Sequence, residues 1–174
     1  MCKKILCLFV VTSSVLATFA NAMDPFYVII VDKAKNEVHL GVSKPQSIEL
    51  LKTHHVTLGK MRGDKEVEKD LKTPEGIYFF EAKLKPPGLK KKFGKMALMV
   101  NYPTPIDRRA CKTGYDIMLH STDDPPRLQR DLDSEGCVVV NDEQIEYFSD
   151  HVKLGLTPML IYSELKPEHL NDAR

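Results

Sequence analysis

Short apolar runs that are rich in β-branched residues recur along this chain, separated by polar turns. Residues 26–31 and 137–140 are continuous apolar runs, as in buried strands. In a second pattern, Val38, Leu40 and Val42 alternate with other residues, which predicts a half-buried strand. Further runs recur at 47–58, 77–80, 97–101, 117–120 and 158–162. The pattern predicts a mostly β domain that begins with a three-stranded meander.

One segment carries the signals of an α-helix. Asn141 can cap the first turn, and Gln144 follows three residues later, as in a capping box. Gly155 is placed to end the helix. The apolar residues between them recur at helical spacing, at Ile145, Phe148 and Val152. We therefore expect one clear helix near the end of the domain.

The first 22 residues have the pattern of a secretory signal peptide. Lys3 and Lys4 precede an apolar run over residues 5–20, and the segment 20–22 (Ala-Asn-Ala) offers a small-x-small cleavage site. The apolar run is too short for a comfortable transmembrane span. The sequence therefore predicts an exported protein whose signal peptide is cleaved after about Ala22.

Length and composition indicate one ordinary globular domain. The chain has 174 residues, a formal net charge of +1, 43% hydrophobic residues and 28% charged residues. The near-neutral charge gives no reason to expect nucleic-acid binding, and the run Lys90–Lys92 is interpreted as a solvated loop. We expect a domain over residues 23–163 and a polar C-terminal tail over residues 164–174.

The cysteines allow two interpretations. Cys2 and Cys7 would leave with the signal peptide, so that Cys111 and Cys137 remain. In an exported protein, two cysteines are ordinarily interpreted as one disulfide. The alternative is that at least one of them is a free thiol with a function. Composition favours the disulfide, whereas the residues around Cys137 favour the thiol.

Cys137 has the surroundings of a nucleophile. It follows Gly136 at the start of a buried strand, where the glycine lets a substrate approach the backbone closely. The backbone N–H groups of these two residues could stabilise an oxyanion. His120 lies upstream at the end of another predicted strand, and an imidazole near a thiol raises the thiolate fraction if the two strands are neighbours. By themselves, however, one cysteine and one histidine are weak evidence for catalysis.

The wider sequence resembles the L,D-transpeptidase catalytic domain family, also called the YkuD domain. The resemblance covers residues from about Tyr27 to Tyr162 and includes His120-Ser121, a variable loop, and Ser134-Glu135-Gly136-Cys137 before an apolar strand. Two upstream segments also match, Gly59-Lys60 and Thr73-Pro74-Glu75-Gly76. The segments Phe93-Gly94 and Asn101-Tyr102-Pro103 look like the branch with cell-shape carboxypeptidases and other single-domain periplasmic members.

The resemblance implies a β-sandwich with one or two short helices and a periplasmic enzyme that acts on the peptide stems of peptidoglycan. Cys137 would attack the carbonyl of the third stem residue, and His120 would act as base and then protonate the leaving D-amino acid. An amine acceptor would give a 3→3 crosslink or attachment of an outer-membrane lipoprotein, and water would give carboxypeptidase action. The alternatives are an amidase that releases linked stems with the same nucleophile, and a non-catalytic peptidoglycan-binding module.

The sequence departs from the family pattern beside the nucleophile. Glu135 stands where many members have His, and Val138 and Val139 stand where many have Arg or Asn. Both changes leave the nucleophile and the upstream histidine in place. They bear on how an acceptor or a stem carboxylate is held, so transferase activity is less strongly implied than cysteine chemistry.

Other residues are candidates for supporting roles. Ser121 is predicted either to orient His120 or simply to end a strand, and Ser134 either to bond within the site or to form a turn. Substrate-binding candidates, besides Glu135, are Tyr102, Arg108 and Arg109, since arginine suits carboxylates; the alternative for these three is surface solvation.

The sequence predicts no metal and no organic cofactor. The adjacent pair His54-His55 would point to opposite faces of a strand, so the two rings would not chelate one ion. The chain also has no Cys-x-x-Cys or His-Glu-x-x-His spacing. We expect a monomer. A disulfide between Cys111 and Cys137 under oxidation would inactivate the enzyme.

Overall fold

The structure is a computed structural model that describes residues 25–171. The predicted signal peptide and its cleavage site lie outside the described residues. Within residues 25–171, no helix is both long enough and apolar enough to span a membrane.

Within residues 25–171, ten strands form two sheets, and the mostly β prediction is confirmed. The larger sheet has eight strands in the order β3-β2-β1-β10-β5-β6-β7-β9, and the smaller pairs β4 with β8. The strands are β1 (Tyr27–Asp32), β2 (Glu37–Lys44), β3 (Ser47–His55), β4 (Leu58–Gly59), β5 (Gly76–Leu84), β6 (Ala97–Val100), β7 (Met118–His120), β8 (Leu132–Ser134), β9 (Val138–Val139) and β10 (Pro158–Tyr162).

Strand order places the ends of β7 and β9 side by side. The first three strands form the antiparallel meander that the sequence predicts. Three further pairs in the eight-stranded sheet are antiparallel: β10 with β5, β5 with β6, and β6 with β7. Two pairs are parallel, β1 with β10 and β7 with β9. In the pair of β7 and β9, Leu119 lies opposite Val138, and His120 lies opposite Val139. The strand that ends in His120 therefore adjoins the strand that begins after Cys137.

In the described part of the chain, three α-helices accompany the sheets. They are α1 (Pro105–Arg109), α2 (Asp142–His151) and α3 (Pro167–Asn171). The predicted capping box of α2 is present, because Asn141 accepts from the Gln144 amide and Gln144 accepts from that of Asn141. A second capping box, between Thr104 and Asp107, begins α1 in a segment that the sequence analysis assigned no structure. Single 3₁₀ turns occur at Lys91–Phe93 and Pro125–Gln129.

One continuous core joins the eight-stranded sheet, the small sheet and α2. Ile145 and Phe148 of α2 are fully buried, which follows from their helical spacing. They pack with side chains from the strands, including Val31, Leu40 and Phe80. The short α3 lies against β3, and the ring of its His169 stacks on Tyr162 with 4.3 Å between the ring centroids.

Candidate active site

Alternation along the strands turns Cys137 and His120 to the same side of the sheet. Leu119 and Val138 point into the main core, so the residues next to each of them point away from it. Cys137 accordingly packs against a second, smaller cluster with Met118. Both Cys137 and His120 line a cavity of about 780 Å³ on that side. The two residues therefore face the same cavity, as expected for the predicted nucleophile and base.

The imidazole of His120 is held by a hydrogen bond and by an aromatic ring. Its Nδ1 is hydrogen-bonded to the carbonyl oxygen of Ser121. Because a carbonyl can only accept, Nδ1 carries the proton and Nε2 keeps its lone pair in the neutral ring. The ring of Phe93 meets the imidazole edge-to-face, with 4.9 Å between the ring centroids. Burial lowers the pKa of His120 to about 4, so the ring is neutral at pH 7.

The thiol of Cys137 is neutral at rest. It donates a hydrogen bond to the carbonyl oxygen of Asp116, with 3.4 Å between the sulfur and the oxygen. Burial raises the pKa of this thiol to about 11, although the charges of Arg127 and Lys92 act in the opposite direction. With His120 uncharged as well, the resting pair consists of a thiol and an imidazole, and not of a thiolate–imidazolium ion pair.

Ser134 shapes the turn that carries Cys137. Its hydroxyl donates to the carbonyl oxygen of Cys137 at 2.6 Å and accepts from the N–H of Gly136 at 3.1 Å. The side chain is buried, so these bonds replace water. The sequence offered two roles for Ser134, a turn residue or a residue that bonds within the site. The same two hydrogen bonds account for both. One consequence is that the Gly136 N–H is already engaged, and it would have to leave Ser134 to stabilise an oxyanion.

Gly136 has a conformation and a position that no other residue fits well. Its φ is +128°, and a Cβ built on it would lie 2.7 Å from the carbonyl oxygen of Lys72. The same upstream loop is bonded to the motif by its backbone, since the Lys60 N–H donates to the Ser134 carbonyl at 2.9 Å. The Thr73 hydroxyl accepts from Gly59 N–H at 2.9 Å. The upstream motifs therefore support the turn that carries Cys137.

Ser121 supports His120 from within the protein. It is fully buried, its carbonyl holds Nδ1 of His120, and its hydroxyl accepts from the N–H of Lys95 at 2.8 Å. Gly94 lies directly against it, because a Cβ on Gly94 would come within 2.3 Å of the Ser121 hydroxyl oxygen. The sequence segment Phe93-Gly94 is thus explained by its contacts with both His120 and Ser121.

Three of the predicted substrate-binding residues lie outside the lining of the cavity. Tyr102 is buried in the main core, and its hydroxyl donates to the Thr113 carbonyl at 3.1 Å. Arg108 and Arg109 are exposed on α1, and Arg108 folds back on the carbonyl of Pro103. The fourth candidate, Glu135, is exposed at the cavity. The sequence shows that these segments are basic, but it does not distinguish the arginines of α1 from Arg127, which lines the cavity.

The site also contains residues that sequence reasoning missed. Arg127 lines the cavity, and its Nε and Nη2 donate to the Asp133 carbonyl at 2.8 Å and 2.6 Å. Lys92 and Asp116 line it as well. Arg127 lies in the long polar loop between His120 and Ser134, and the only sequence signal for it was its place between the two motifs.

Cys111 and Cys137 are both free, and Cys111 is exposed beyond α1. Cys111 does not line the cavity. Across the described range, 25–171, no group of three or more His, Cys, Asp or Glu side chains is arranged to hold a metal ion. In the predicted pair His54-His55, His54 bonds to Gln144 and His55 bonds to Asp131.

Comparison with known families identifies the domain. The model of the L,D-transpeptidase catalytic domain, YkuD, matches residues 26–161. Among curated protein sequences there is no significant match.

Solved structures of similar fold include Bd1075 from Bdellovibrio bacteriovorus, with 37% sequence identity and a TM-score of 0.68, over 80% of this chain and 49% of that chain. The helical cell shape determining protein Pgp2 from Campylobacter jejuni has 25% identity and a TM-score of 0.71, over 83% of this chain and 50% of that one. L,D-transpeptidase 3 from Mycobacterium tuberculosis, at 16% identity and a TM-score of 0.52, shares the fold over 80% of this chain and 62% of its own. The chain thus spans about half the length of the first two structures.

Proposed function

Because the chain belongs to the L,D-transpeptidase (YkuD) catalytic domain family, we propose that it is a peptidoglycan-modifying cysteine enzyme with Cys137 as nucleophile. The bond attacked is the L,D peptide bond after the third residue of a stem peptide. The thioester that forms is resolved by an amine, as in 3→3 crosslinking or lipoprotein attachment, or by water, as in L,D-carboxypeptidase action.

The observation that carries the proposal is the position of Cys137 and His120 on adjoining strands, facing one cavity. The Ser121 carbonyl fixes the proton of His120 on Nδ1, so the lone pair on Nε2 is available to a thiol in the cavity. A pure binding module has no need of such a base beside a cysteine. The geometry therefore favours an enzyme over the binding-module alternative.

The reaction begins with transfer of the Cys137 proton to Nε2 of His120, as sulfur attacks the carbonyl carbon. The carbon–sulfur bond forms and the carbonyl becomes an oxyanion. When the oxyanion collapses, the carbon–nitrogen bond breaks, and the leaving amine takes the proton from His120. The acceptor then gives a proton to His120, attacks the thioester, and restores the thiol. Because the pKa of the thiol is high and that of His120 is low, the first proton transfer, from Cys137 to His120, occurs with substrate in place.

The setting of the reaction is the periplasm, as the amino-terminal signal pattern suggests. A role in cell shape is supported by the similarity to Pgp2, a helical cell shape determining protein. The cavity suits a peptide with charges of both signs, because its lining includes Lys92 and Arg127 as well as Asp116 and Glu135.

The test is incubation of the mature protein with purified muropeptides, with products identified by mass. Loss of one D-alanine from a tetrapeptide stem indicates carboxypeptidase action, and a 3→3 stem dimer indicates transpeptidation. Release of a linked lipoprotein or of crosslinked stems would instead indicate an amidase. Cys137→Ala should abolish every product, whereas Cys111→Ala, a matched control outside the cavity, should retain them. The proposal fails if the wild-type protein yields no product, or if Cys137→Ala is as active as wild type.

A further inference from the structure

We propose that Arg127, with Lys92, forms a binding site for a substrate carboxylate beside the sulfur of Cys137. Applied to stem peptides, the inference rests on the proposed function: the carboxylate is that of the terminal D-amino acid, which leaves in the first step. The enzyme would therefore select stems with a free terminal carboxylate.

The guanidinium of Arg127 is held in place but only partly used. Its side chain is 20% exposed, and two nitrogens, Nε and Nη2, donate to one backbone oxygen, that of Asp133. Within residues 25–171 the structure gives Nη1 no acceptor. A guanidinium carries five N–H donors in a planar fork. The hydrogen bonds to Asp133 thus orient the group and leave donors free for an oxygen anion in the cavity.

The charge of Arg127 is not cancelled by its neighbour. The Asp133 carboxylate lies 2.8 Å from Nη2 of Arg130 and 3.8 Å from Nζ of Lys60, but 3.9 Å from Nε of Arg127. Arg130 also lies 3.6 Å from the Asp124 carboxylate, so two carboxylates are shared among three cations and one positive charge remains in excess at this edge of the cavity.

Lys92 adds a second cation on the side of His120. Its Nζ lies over the ring of Phe93, 5.0 Å from the ring centroid, and Phe93 in turn contacts the imidazole of His120. Among the described residues, no carboxylate forms an ion pair with Lys92. The charges of Arg127 and Lys92 both act on the Cys137 thiol, and Arg127 outweighs the opposing charge of Asp116. The charges of these two cations therefore favour an anion next to the sulfur, in opposition to the burial that disfavours one.

The chemistry of the substrate explains why a cation near the Cys137 sulfur would bind the terminal carboxylate. In an amide of a terminal amino acid, the carboxylate is three bonds from the carbonyl carbon that the thiol attacks. A cation that acts on the sulfur is therefore placed to act on that carboxylate as well. Arginine binding of a carboxylate is geometrically specific, so the site would discriminate a free acid from an amide or an extended peptide.

The test compares two alkylating agents of nearly equal size, the anion iodoacetate and the neutral iodoacetamide. All variants carry Cys111→Ser, so that Cys137 is the remaining thiol of the mature chain. We expect the iodoacetate-to-iodoacetamide rate ratio at Cys137 to exceed that of glutathione by about tenfold at low salt and to fall as salt is added. Arg127→Gln should lower the ratio about tenfold, and Lys92→Gln by a smaller factor.

Arg130→Gln is the matched control, because Arg130 shares Asp133 but does not line the cavity. It should leave the ratio within about twofold of wild type. Arg127→Lys keeps the charge without the planar fork and should retain part of the preference. Thermal unfolding of both variants shows whether Arg127→Gln is still folded, and Arg127→Lys tests the site if it is not. A wild-type ratio equal to that of glutathione, or one that Arg127→Gln leaves unchanged, overturns the proposal.

A second comparison separates this inference from the proposed function. With a tetrapeptide stem and its C-terminal amide, wild type should prefer the acid, and Arg127→Gln should raise KM for the acid far more than for the amide. Equal use of acid and amide by an active wild-type enzyme would overturn the inference while leaving the function standing. If neither peptide is turned over but the iodoacetate preference depends on Arg127, the function fails and the anion site stands.

Discussion

The ring of Phe93 lies edge-to-face against the imidazole of His120, with 4.9 Å between centroids and 78° between the ring planes. Together with the Ser121 carbonyl, this contact defines the orientation of the base. Neither contact takes part in proton transfer, but together they set the direction in which Nε2 of His120 points.

Phe93→Leu should lower kcat/KM about tenfold, because a small displacement of a catalytic group is costly. The loss should include a fall in kcat, since the ring contacts the imidazole of His120. Phe79→Leu is the matched control, because Phe79 is half-exposed on β5 and does not line the cavity. Steady-state kinetics on a tetrapeptide stem measure both. Equal kinetics for Phe93→Leu and Phe79→Leu would show that the ring does not orient His120.

The neutral resting pair predicts the pH dependence of alkylation at Cys137. Because burial raises the pKa of the thiol to about 11, the rate with iodoacetamide should rise about tenfold per pH unit from pH 7 to 9. An ion pair would instead give a plateau in this range. The rate is measured in a Cys111→Ser background by mass spectrometry. A plateau near neutral pH would contradict the assignment of a thiol and a neutral imidazole.

The burial of neutral His120 predicts acid sensitivity of the fold. The folded pKa of about 4 lies below the ordinary value of 6.5, so the unfolded chain binds this proton first as pH falls. The contribution is fully present above pH 6.5 and is lost between pH 6.5 and 4, by about 3 kcal/mol. Urea unfolding of wild type and His120→Gln across this window isolates it, since their difference should shrink toward pH 4. A difference independent of pH would contradict the prediction.

Ser134→Ala should both destabilise the protein and impair turnover. It removes the donor to the Cys137 carbonyl and the acceptor of the Gly136 N–H, leaving buried groups without partners. The expected cost is about 1–3 kcal/mol in the free energy of unfolding. Ser163→Ala, at an exposed position, serves as the control and should change neither quantity. Chemical denaturation and muropeptide turnover measure the two effects, and wild-type values in both would remove Ser134 from the support of the nucleophile.

Gly94→Ala and Gly155→Ala separate backbone strain from close packing. Both glycines have positive φ, +65° and +72°, but only Gly94 has neighbours: a Cβ would meet the Ser121 hydroxyl at 2.3 Å and the Thr122 nitrogen at 2.6 Å. Gly155→Ala should cost about 1 kcal/mol in unfolding free energy. Gly94→Ala should cost about 1–3 kcal/mol more and lower activity, because Ser121 carries the bond to His120. Equal costs and full activity would contradict the packing at Gly94.

Local patterns were sufficient wherever the residues that decide the structure are near one another in the chain. The strands follow from β-branched runs, and α2 follows from a cap and spaced apolar residues that meet within a few turns. The Thr104–Asp107 capping box of α1 is equally local, and its signal was present but overlooked. Motifs pointed to Cys137 and His120 as the candidate catalytic pair, and their placement on one face follows from alternation once β7 and β9 are known to adjoin.

A mostly β domain, a cysteine after a glycine and a histidine at a strand end all follow from the linear sequence. Which cations reach the cavity depends on the packing: Arg127 does, whereas Arg108 and Arg109 remain on the surface of α1. The packing also decides that the thiol and the imidazole rest uncharged. The physical reason is that burial and charge at a site are sums over neighbours from distant segments. Those neighbours are defined by packing, and a linear pattern does not record them.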